Sequence, residues 1–276
     1  MKLDIVHRTR YTYAQPVRES FNELRLLPVS TESQRVEDFL LKVLPASPLR
    51  HYRDFYSNCV HHFEVPQEHT SLAIESHLRV TTKPALGLSP NARPAALEQL
   101  RQGLDVDRCH DFIQASRFVD TAPETWRLAI DATNGESDTW QCALRLMQFV
   151  HGQIAYRSYS TQVHTTMSEV LVQKTGVCQD FAHVMIGLCR TLRIPALYVS
   201  GYMATEQANA THAWVEVFIP GAGWQALDPT HDRIADERYV KIAVGRDYGD
   251  VAPVKGTYKG TITRTMNVEV RIEIVG

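Results

Sequence analysis

Gly176-Val177-Cys178-Gln179-Asp180 stands at the head of a predicted helix and decides which fold we expect for this sequence. After Cys178 the apolar residues recur with the period of a helix, which Pro195 ends. Two strands are predicted beyond that helix, one beginning near His212 and one reaching Asp228. A thiol, an imidazole and a carboxylate in this order are typical of a nucleophile, its base and the group that orients the base. The stretch therefore predicts acyl-transfer or amide-cleaving chemistry.

Cys178 needs a base, because a thiol reacts as its thiolate and an unperturbed cysteine has a pKa of about 8.5. A position in the first turn of a helix contributes only about 0.3–1 kcal/mol through the macrodipole, so His212 is expected to supply the rest. The same position leaves the backbone N–H of Cys178 available to the oxyanion of a reacting carbonyl. Gln153 and Tyr156 are both candidates for a second oxyanion donor, and the sequence does not choose between them.

The turn at residues 220–223, Pro-Gly-Ala-Gly, predicts a hairpin that joins the strands of His212 and Asp228. A three-residue loop at residues 220–222 puts Trp214 opposite Asp228, with His212 one diagonal away on the same face. A two-residue loop puts His212 and Asp228 on opposite faces, because side chains alternate along a strand. Pairing of the two residues therefore requires an odd-length loop or a bulge. Trp214, two residues from the proposed base, is expected to form a wall of the cleft.

The first 82 residues predict an antiparallel β-sandwich, because alternating strand patterns follow one another there without a helix between them. These patterns cover residues 2–13, 36–43, 55–65 and 72–80. A change of composition at residues 83–90 predicts a linker. Helices are expected at residues 94–104, 108–116, 125–133, 139–151 and 166–174, the last opened by a capping box of Thr166 and Glu169. Further strands are expected at residues 196–202, 213–219, 223–227 and 268–274.

We therefore predict an α+β protein of two domains. Residues 1–82 form the accessory β-sandwich. Residues 83–276 form a core in which helices pack on an antiparallel sheet, with a helical lead-in and a C-terminal strand.

The composition is that of an ordinary globular protein, with 44% hydrophobic and 22% charged residues. A formal net charge of −2 with interspersed charges favours neither nucleic acid nor a membrane as a partner. A secretion signal and a membrane-spanning stretch are both missing from the sequence, so we expect a cytoplasmic location. The five cysteines include no Cys-x-x-Cys pair, and the histidines include no His-x-x-x-His spacing. Neither a disulfide framework, nor a metal, nor any other cofactor is predicted.

The core sequence resembles the bacterial transglutaminase-like proteins, which are often described as cysteine proteases. The matching residues are 176–183, 190, 194–196, 198–202, 212–217 and 223–230. Residues 7–17 and 24–28 resemble the accessory domain of that family, and residues 247–256 resemble its C-terminal segment. The resemblance covers nearly the whole chain.

The resemblance implies a papain-like core with Cys178 as nucleophile, His212 as general base and acid, and Asp228 orienting the imidazole. Three residues of the nucleophile motif, Gln179, Asp180 and His183, are expected to support the site. Tyr202 joins Trp214 as a candidate cleft residue. Three positions depart from the family pattern: Arg193 stands where glycine is frequent, Leu197 where arginine is frequent, and His231 where asparagine is frequent.

Two reaction outcomes stay open at the level of the sequence. An acyl-enzyme on Cys178 that reacts with water makes the protein a protease or amidase, and one that reacts with an amine makes it a transglutaminase. We favour hydrolysis of a protein or peptide substrate, because water needs no acceptor site. A different class of function, a binding or scaffold module without catalysis, is the alternative. The oligomeric state is not determined by the sequence.

Overall fold

The computed structural model describes residues 1–84, 88, 95–103, 109–205, 211–261 and 263–275. The strands in these ranges are β1 (Lys2–Leu24), β2 (Gln34–Leu44), β3 (Arg50–Arg53), β4 (Cys59–Val65), β5 (His69–Thr82), β6 (Ala155–Tyr156), β7 (Thr175–Gly176), β8 (Ala196–Met203), β9 (His212–Ile219), β10 (Gly223–Asp228), β11 (Arg233–Ile234), β12 (Tyr239–Gly245), β13 (Val254–Lys259) and β14 (Arg264–Ile274). The helices are α1 (Leu97–Gly103), α2 (Pro123–Thr133), α3 (Thr139–Gln153), α4 (Met167–Gln173), α5 (Cys178–Thr191) and α6 (Tyr248–Val251), with a 3₁₀ turn at His110–Ile113. None of the helices in these ranges is long and apolar enough to cross a membrane.

The N-terminal strands form one curled antiparallel sheet in the order β2-β5-β1-β4-β3, with β13 and β14 also paired to β1. Strand β1 is 23 residues long, and its pairing with β5 shifts register between Thr12 and Val17. Before this irregularity β1 pairs with β5 and β14, and after it β1 pairs with β4 and β13. The curl encloses an apolar cluster that includes Tyr13, Leu24 and Ile74. The predicted antiparallel β architecture is confirmed, and a single long strand contributes to both of its halves.

Some predicted strand and helix boundaries differ from those in the structure. Residues 55–58, predicted as the start of a strand, form a turn in which Asp54 accepts hydrogen bonds from the backbone N–H groups of Tyr56 and Asn58. Within residues 108–116, predicted as a helix, residues 110–113 form the 3₁₀ turn and residues 114–116 are not helical, while residue 108 lies outside the described residues. Both ends of the predicted helix at residues 94–104 and most of the predicted linker lie outside the described residues.

The C-terminal strands return to the N-terminal sheet. Strand β14 pairs with β1 from Leu3↔Ile274 to Tyr13↔Arg264, and β13 pairs with the end of β1. Residues 254–274 therefore complete the sheet that the first 82 residues begin. The division of the chain between residues 82 and 83 stays a prediction, since one hydrophobic core includes residues from both sides of it.

The second sheet has five antiparallel strands in the order β11-β10-β9-β8-β12, and helix α5 packs against it. Residues Asp180–Arg190 of α5 are all buried, since the other helices cover the side turned away from the sheet. Gly187 permits this close packing, because a Cβ atom there would lie 2.4 Å from the sulfur of Met167. The buried Arg190 guanidinium donates to four backbone carbonyls, those of Phe112, Gln114, Ala196 and Arg246. Helix α5 is thus fixed on all sides.

Two side-chain amides join the N-terminal region to β12, an edge strand of the second sheet. Gln34 donates to the carbonyl of Lys241 at 2.7 Å and accepts from its N–H at 2.9 Å. Asn58 makes the same pair of hydrogen bonds with Val244, at 2.8 Å each. The outward-facing backbone groups of Lys241 and Val244 are therefore satisfied without another strand.

Candidate active site

Cys178 is the first residue of α5, and its side chain is half-buried. The start of the helix is held by Asp180, whose Oδ2 accepts hydrogen bonds from the Val177 N–H at 2.8 Å and from the Thr161 hydroxyl at 2.6 Å. Burial raises the pKa of Asp180, and these two hydrogen bonds offset part of the rise. Gly176 makes room for the carboxylate, because a Cβ atom at this position would lie 2.7 Å from the Cβ of Asp180. Asp180 thus holds the backbone next to Cys178 in place.

The two candidates for a second oxyanion donor lie on different elements, Gln153 at the end of α3 and Tyr156 in β6. Strand β6 pairs in parallel with β7, with Tyr156 beside Gly176, two residues before Cys178. Burial raises the pKa of the Tyr156 hydroxyl, and the nearby charge of Cys178 raises it further. Gln153 is exposed at the last position of α3, and the Tyr156 side chain is exposed as well. Tyr156 is therefore the candidate that lies in the strand beside the residues leading to Cys178.

His212 and Asp228 meet across the hairpin of β9 and β10. Its register runs from Ile219↔Gly223 to Val215↔Leu227, so the loop at residues 220–222 has the predicted three residues. His212 Nε2 lies 2.7 Å from Asp228 Oδ2. Cys178 lies close enough to His212 to raise the pKa of its imidazole, and Nδ1 is the ring nitrogen that Asp228 leaves unoccupied. One imidazole therefore lies close to both the thiol and the carboxylate.

Electrostatics favour the charged forms of the imidazole and the carboxylate. Burial by itself would lower the pKa of His212, but the hydrogen bond with Asp228 and the nearby Cys178 outweigh it and raise this pKa to about 10. Burial would likewise raise the pKa of Asp228, and the hydrogen bonds donated by His212 and His231 hold it well below its usual range. The imidazole is thus held between two groups that stabilise its protonated state.

Asp228 has two partners that the sequence reasoning missed. His231 Nδ1 lies 2.8 Å from Asp228 Oδ2, and the Tyr239 hydroxyl donates to the same oxygen at 2.7 Å. The backbone N–H of Thr230 donates to Oδ1 at 2.9 Å. The position of His231, three residues after Asp228 in a turn, was a usable signal. Tyr239 comes from β12, and nothing in its local sequence points to the site.

The two predicted cleft residues are both buried. The ring of Trp214 is stacked with that of His212 at 6.1 Å between centroids and packs edge-on against Tyr239 at 5.3 Å. Trp214 therefore supports the imidazole instead of lining an open cleft. The prediction for Tyr202 is wrong, because its hydroxyl lies 2.8 Å from Nδ1 of the buried His7 in the N-terminal sheet. An alternating strand pattern identifies a buried face without identifying what covers it.

The two remaining motif residues have structural contacts. Gln179 donates from Nε2 to the carbonyl of Val163 at 3.2 Å, which ties the loop before α4 to helix α5. His183 is fully buried and accepts the backbone N–H of Tyr248 at its Nε2, at 3.1 Å. Its ring stacks on Phe118 at 5.3 Å, and burial lowers its pKa to about 3. His183 is thus a neutral packing residue of the core.

One group of side chains in the described part of the chain has the composition of a metal site. It consists of His212, Asp228 and His231, whose potential ligand atoms all lie within 4.8 Å of one another.

Two family models match the chain. The model for the bacterial transglutaminase-like N-terminal region covers residues 3–81, and the model for the transglutaminase-like superfamily covers residues 127–229. The second match contains Cys178, His212 and Asp228.

The chain is also similar to proteins along its full length. It is 31% identical to an uncharacterized protein of Mycobacterium leprae over 98% of each chain. It is 32% identical to an uncharacterized protein of Mycobacterium tuberculosis, over 98% of this chain and 91% of the relative. A shorter match, 32% identical, joins 35% of this chain to 16% of a protein-glutamine gamma-glutamyltransferase of Pseudomonas aeruginosa.

The same fold occurs in a solved structure from Cytophaga hutchinsonii that is named a candidate cysteine protease. The TM-score is 0.78 at 24% identity, over 100% of this chain and 92% of that one. The fold, the two family models and the full-length relatives agree. The chain therefore belongs to the transglutaminase-like superfamily and carries the bacterial N-terminal region of that family.

Proposed function

We propose that the protein catalyses cysteine-dependent acyl transfer on peptide or side-chain amides through a thioester intermediate. The observation that carries this proposal is the position of His212, which hydrogen-bonds Asp228 through Nε2 and lies close enough to Cys178 for the thiol to raise the pKa of the imidazole. This is the arrangement that a nucleophile, a base and an orienting carboxylate require.

In the proposed reaction, Cys178 Sγ attacks the amide carbonyl while His212 holds the thiol proton. The backbone N–H of Cys178 stabilises the oxyanion, and the Tyr156 hydroxyl is the proposed second donor. Collapse of the tetrahedral intermediate breaks the C–N bond, and His212 gives its proton to the leaving amine. Asp228 keeps the imidazole oriented throughout. Water activated by His212 then hydrolyses the thioester and restores the thiol.

Hydrolysis of a protein or peptide, in the cytoplasm, is the outcome that we favour, because water needs no acceptor site. Amine transfer is the second candidate. Its support is the match of about a third of the chain to a protein-glutamine gamma-glutamyltransferase. Both outcomes use the same three residues.

Labelling with an electrophilic probe tests the nucleophile. We expect Cys178 to be alkylated much faster than an exposed model thiol, and His212→Ala to slow this reaction by about 10²-fold or more. Cys59→Ala, a change of a buried cysteine in the N-terminal sheet, is the matched control and should leave the labelling rate unchanged. If Cys178 reacts like a model thiol and His212→Ala has no effect, the protein is a scaffold module.

A glutamine-rich protein substrate separates the two reactions. Ammonia release without incorporation of an added primary amine supports hydrolysis, with Cys178→Ala as the inactive control. Amine incorporation faster than hydrolysis would instead identify a transglutaminase. Trapped acyl-enzyme on Cys178, detected by mass spectrometry, is expected in both cases.

A further inference from the structure

His212 and His231 both direct a ring nitrogen at the same carboxylate oxygen. His212 Nε2 lies 2.7 Å and His231 Nδ1 lies 2.8 Å from Asp228 Oδ2. The ring centroids of the two histidines are 5.2 Å apart. Two imidazole nitrogens and a carboxylate oxygen thus converge from β9, the end of β10 and the turn after it.

Two imidazoles and one carboxylate are the protein ligands of open zinc sites, in which water fills the fourth position at metal–ligand distances of about 2.0–2.2 Å. The three ligand atoms all lie within 4.8 Å of one another, which brings them within reach of one ion. Asp228 is already oriented by the Thr230 N–H and the Tyr239 hydroxyl, as the carboxylates of metal sites are. The side chain of His231 is 41% exposed, so the site has an entry from solvent.

We propose that His212, Asp228 and His231 form an inhibitory Zn²⁺ site. The spacing of the histidines predicted no metal, because the ligands are brought together by the hairpin and not by neighbouring positions on one helix. Metal binding itself does not require catalysis. Only its inhibitory effect rests on the proposed function.

The ion would inhibit by occupying the atom that orients the base. Zn²⁺ takes the Nε2 lone pair of His212 and replaces any proton there, which leaves for solvent. The proton of the neutral imidazole is then fixed on Nδ1. Nδ1 can no longer accept the thiol proton of Cys178, so neither attack nor protonation of the leaving amine proceeds. A chelator reverses the effect, because no covalent bond has changed.

His231 is the residue that makes this site, since His212 and Asp228 alone supply only two ligands. The test uses Cys178→Ala protein, so that the thiol, itself a zinc ligand, does not contribute. Isothermal titration with ZnCl₂ is expected to give one ion per chain, and Co²⁺ is expected to give the visible absorption of a tetrahedral complex. Adding His231→Asn should weaken Zn²⁺ binding by about tenfold or more and abolish the Co²⁺ spectrum. His164→Asn, a change of an exposed histidine outside the group, is the control.

The proposal is overturned if Cys178→Ala binds no Zn²⁺, or if the added His231→Asn change leaves the affinity as high as before. Far-UV circular dichroism verifies that each variant is folded.

The inhibitory effect is measured in protein that retains Cys178. The ratio of rates with and without Zn²⁺, and its recovery on adding a chelator, are compared between the wild type and the His231→Asn variant. We expect the wild type to be inhibited at Zn²⁺ concentrations at least about tenfold lower than those that inhibit the His231→Asn variant. Equal inhibition of the two proteins would contradict the inhibitory role. Zinc binding without any amidase or transferase activity would refute the proposed function and leave the metal site standing.

Discussion

Asp228 accepts more hydrogen bonds than an amide could accept in its place. Oδ2 receives His212, His231 and Tyr239, and Oδ1 receives the backbone N–H of Thr230. The carboxylate is fully buried. An amide NH₂ in place of either oxygen would face another donor, and no water could accept its hydrogen bonds instead.

Asp228→Asn is therefore expected to be harmful in either orientation of the amide. We expect a loss of about 1–3 kcal/mol in the free energy of unfolding, and a fall in kcat of about 10²–10⁴-fold because the imidazole loses its orientation. Urea unfolding and steady-state kinetics measure the two effects. Asp236→Asn, a change of a partly exposed carboxylate paired with Arg238, is the control. An Asp228→Asn enzyme with an unchanged rate would contradict the orienting role.

His7 predicts how stability depends on pH. The ring is buried between the hydroxyls of Tyr202 and Thr9, and burial lowers its pKa from 6.5 to about 4. Between these pH values the unfolded chain binds a proton that the folded chain does not. The free energy of unfolding therefore falls as the pH is lowered from 6.5 to about 4, by about 3 kcal/mol through His7 alone. Above pH 6.5 this loss is absent.

His7→Gln keeps a hydrogen-bonding side chain and removes this titration. We expect its free energy of unfolding to depend less on pH between 7.5 and 5 than that of the wild type, as measured by urea unfolding. The buried His183 adds a dependence of the same sign to both proteins and cancels in the comparison. Identical slopes for the two proteins would exclude the contribution of His7.

At the scale of elements, the edge of β12 depends on two side-chain amides. Gln34→Ala or Asn58→Ala leaves an N–H and a carbonyl of β12 without partners at a buried interface. Each substitution is expected to lower the free energy of unfolding by about 1–3 kcal/mol. Lys42→Ala, a change of an exposed residue on the same strand as Gln34, should have little effect. Chemical denaturation measures the free energy of unfolding of the three variants. A decrease no larger than that of Lys42→Ala would show that the amides are dispensable.

The sequence predicted best those features that depend on residues close to one another in the chain. The odd loop between His212 and Asp228 followed from the alternation of side chains, and the capping box of Thr166 and Glu169 is confirmed. Arg193 is at a φ of +67°, the left-handed conformation that explains the frequent glycine of the family. Contacts between distant elements were not predictable. Tyr239 reaches Asp228 from β12, and hydrophobic period alone does not specify such a partner.

At the scale of the whole molecule, the first and last described strands are neighbours. Alternation of apolar residues predicted β14 as a strand, but its partner β1 lies about 260 residues away in the sequence and has no signature in the local pattern. For this reason the local pattern places the C-terminal strand in the predicted core domain of residues 83–276 and not in the N-terminal sheet. The antiparallel N-terminal region and the mixed core were still predictable, because each consists of long elements with clear periods.

Removal of residues 264–276 is expected to destabilise the N-terminal sheet as well as the C-terminus. It exposes one edge of β1 and removes Val270, which is buried in the full chain. We expect loss of soluble protein or a thermal transition at lower temperature. Glu273→Ala, which changes an exposed residue and keeps the strand, is the control. A truncated protein as stable as the full chain would show that β14 is only an accessory strand.

The pairing of β1 with β14 also has a consequence during synthesis on the ribosome. About 180 residues separate the end of β5 from the start of β14. Because the ribosome adds about 5–20 residues per second, one edge of β1 stays unpaired for about 10–40 s after β5, its neighbour on the other edge, has been synthesised. During that interval the open edge is available to strands of other nascent chains. This edge is therefore the part of the molecule where we expect chaperone binding to matter most.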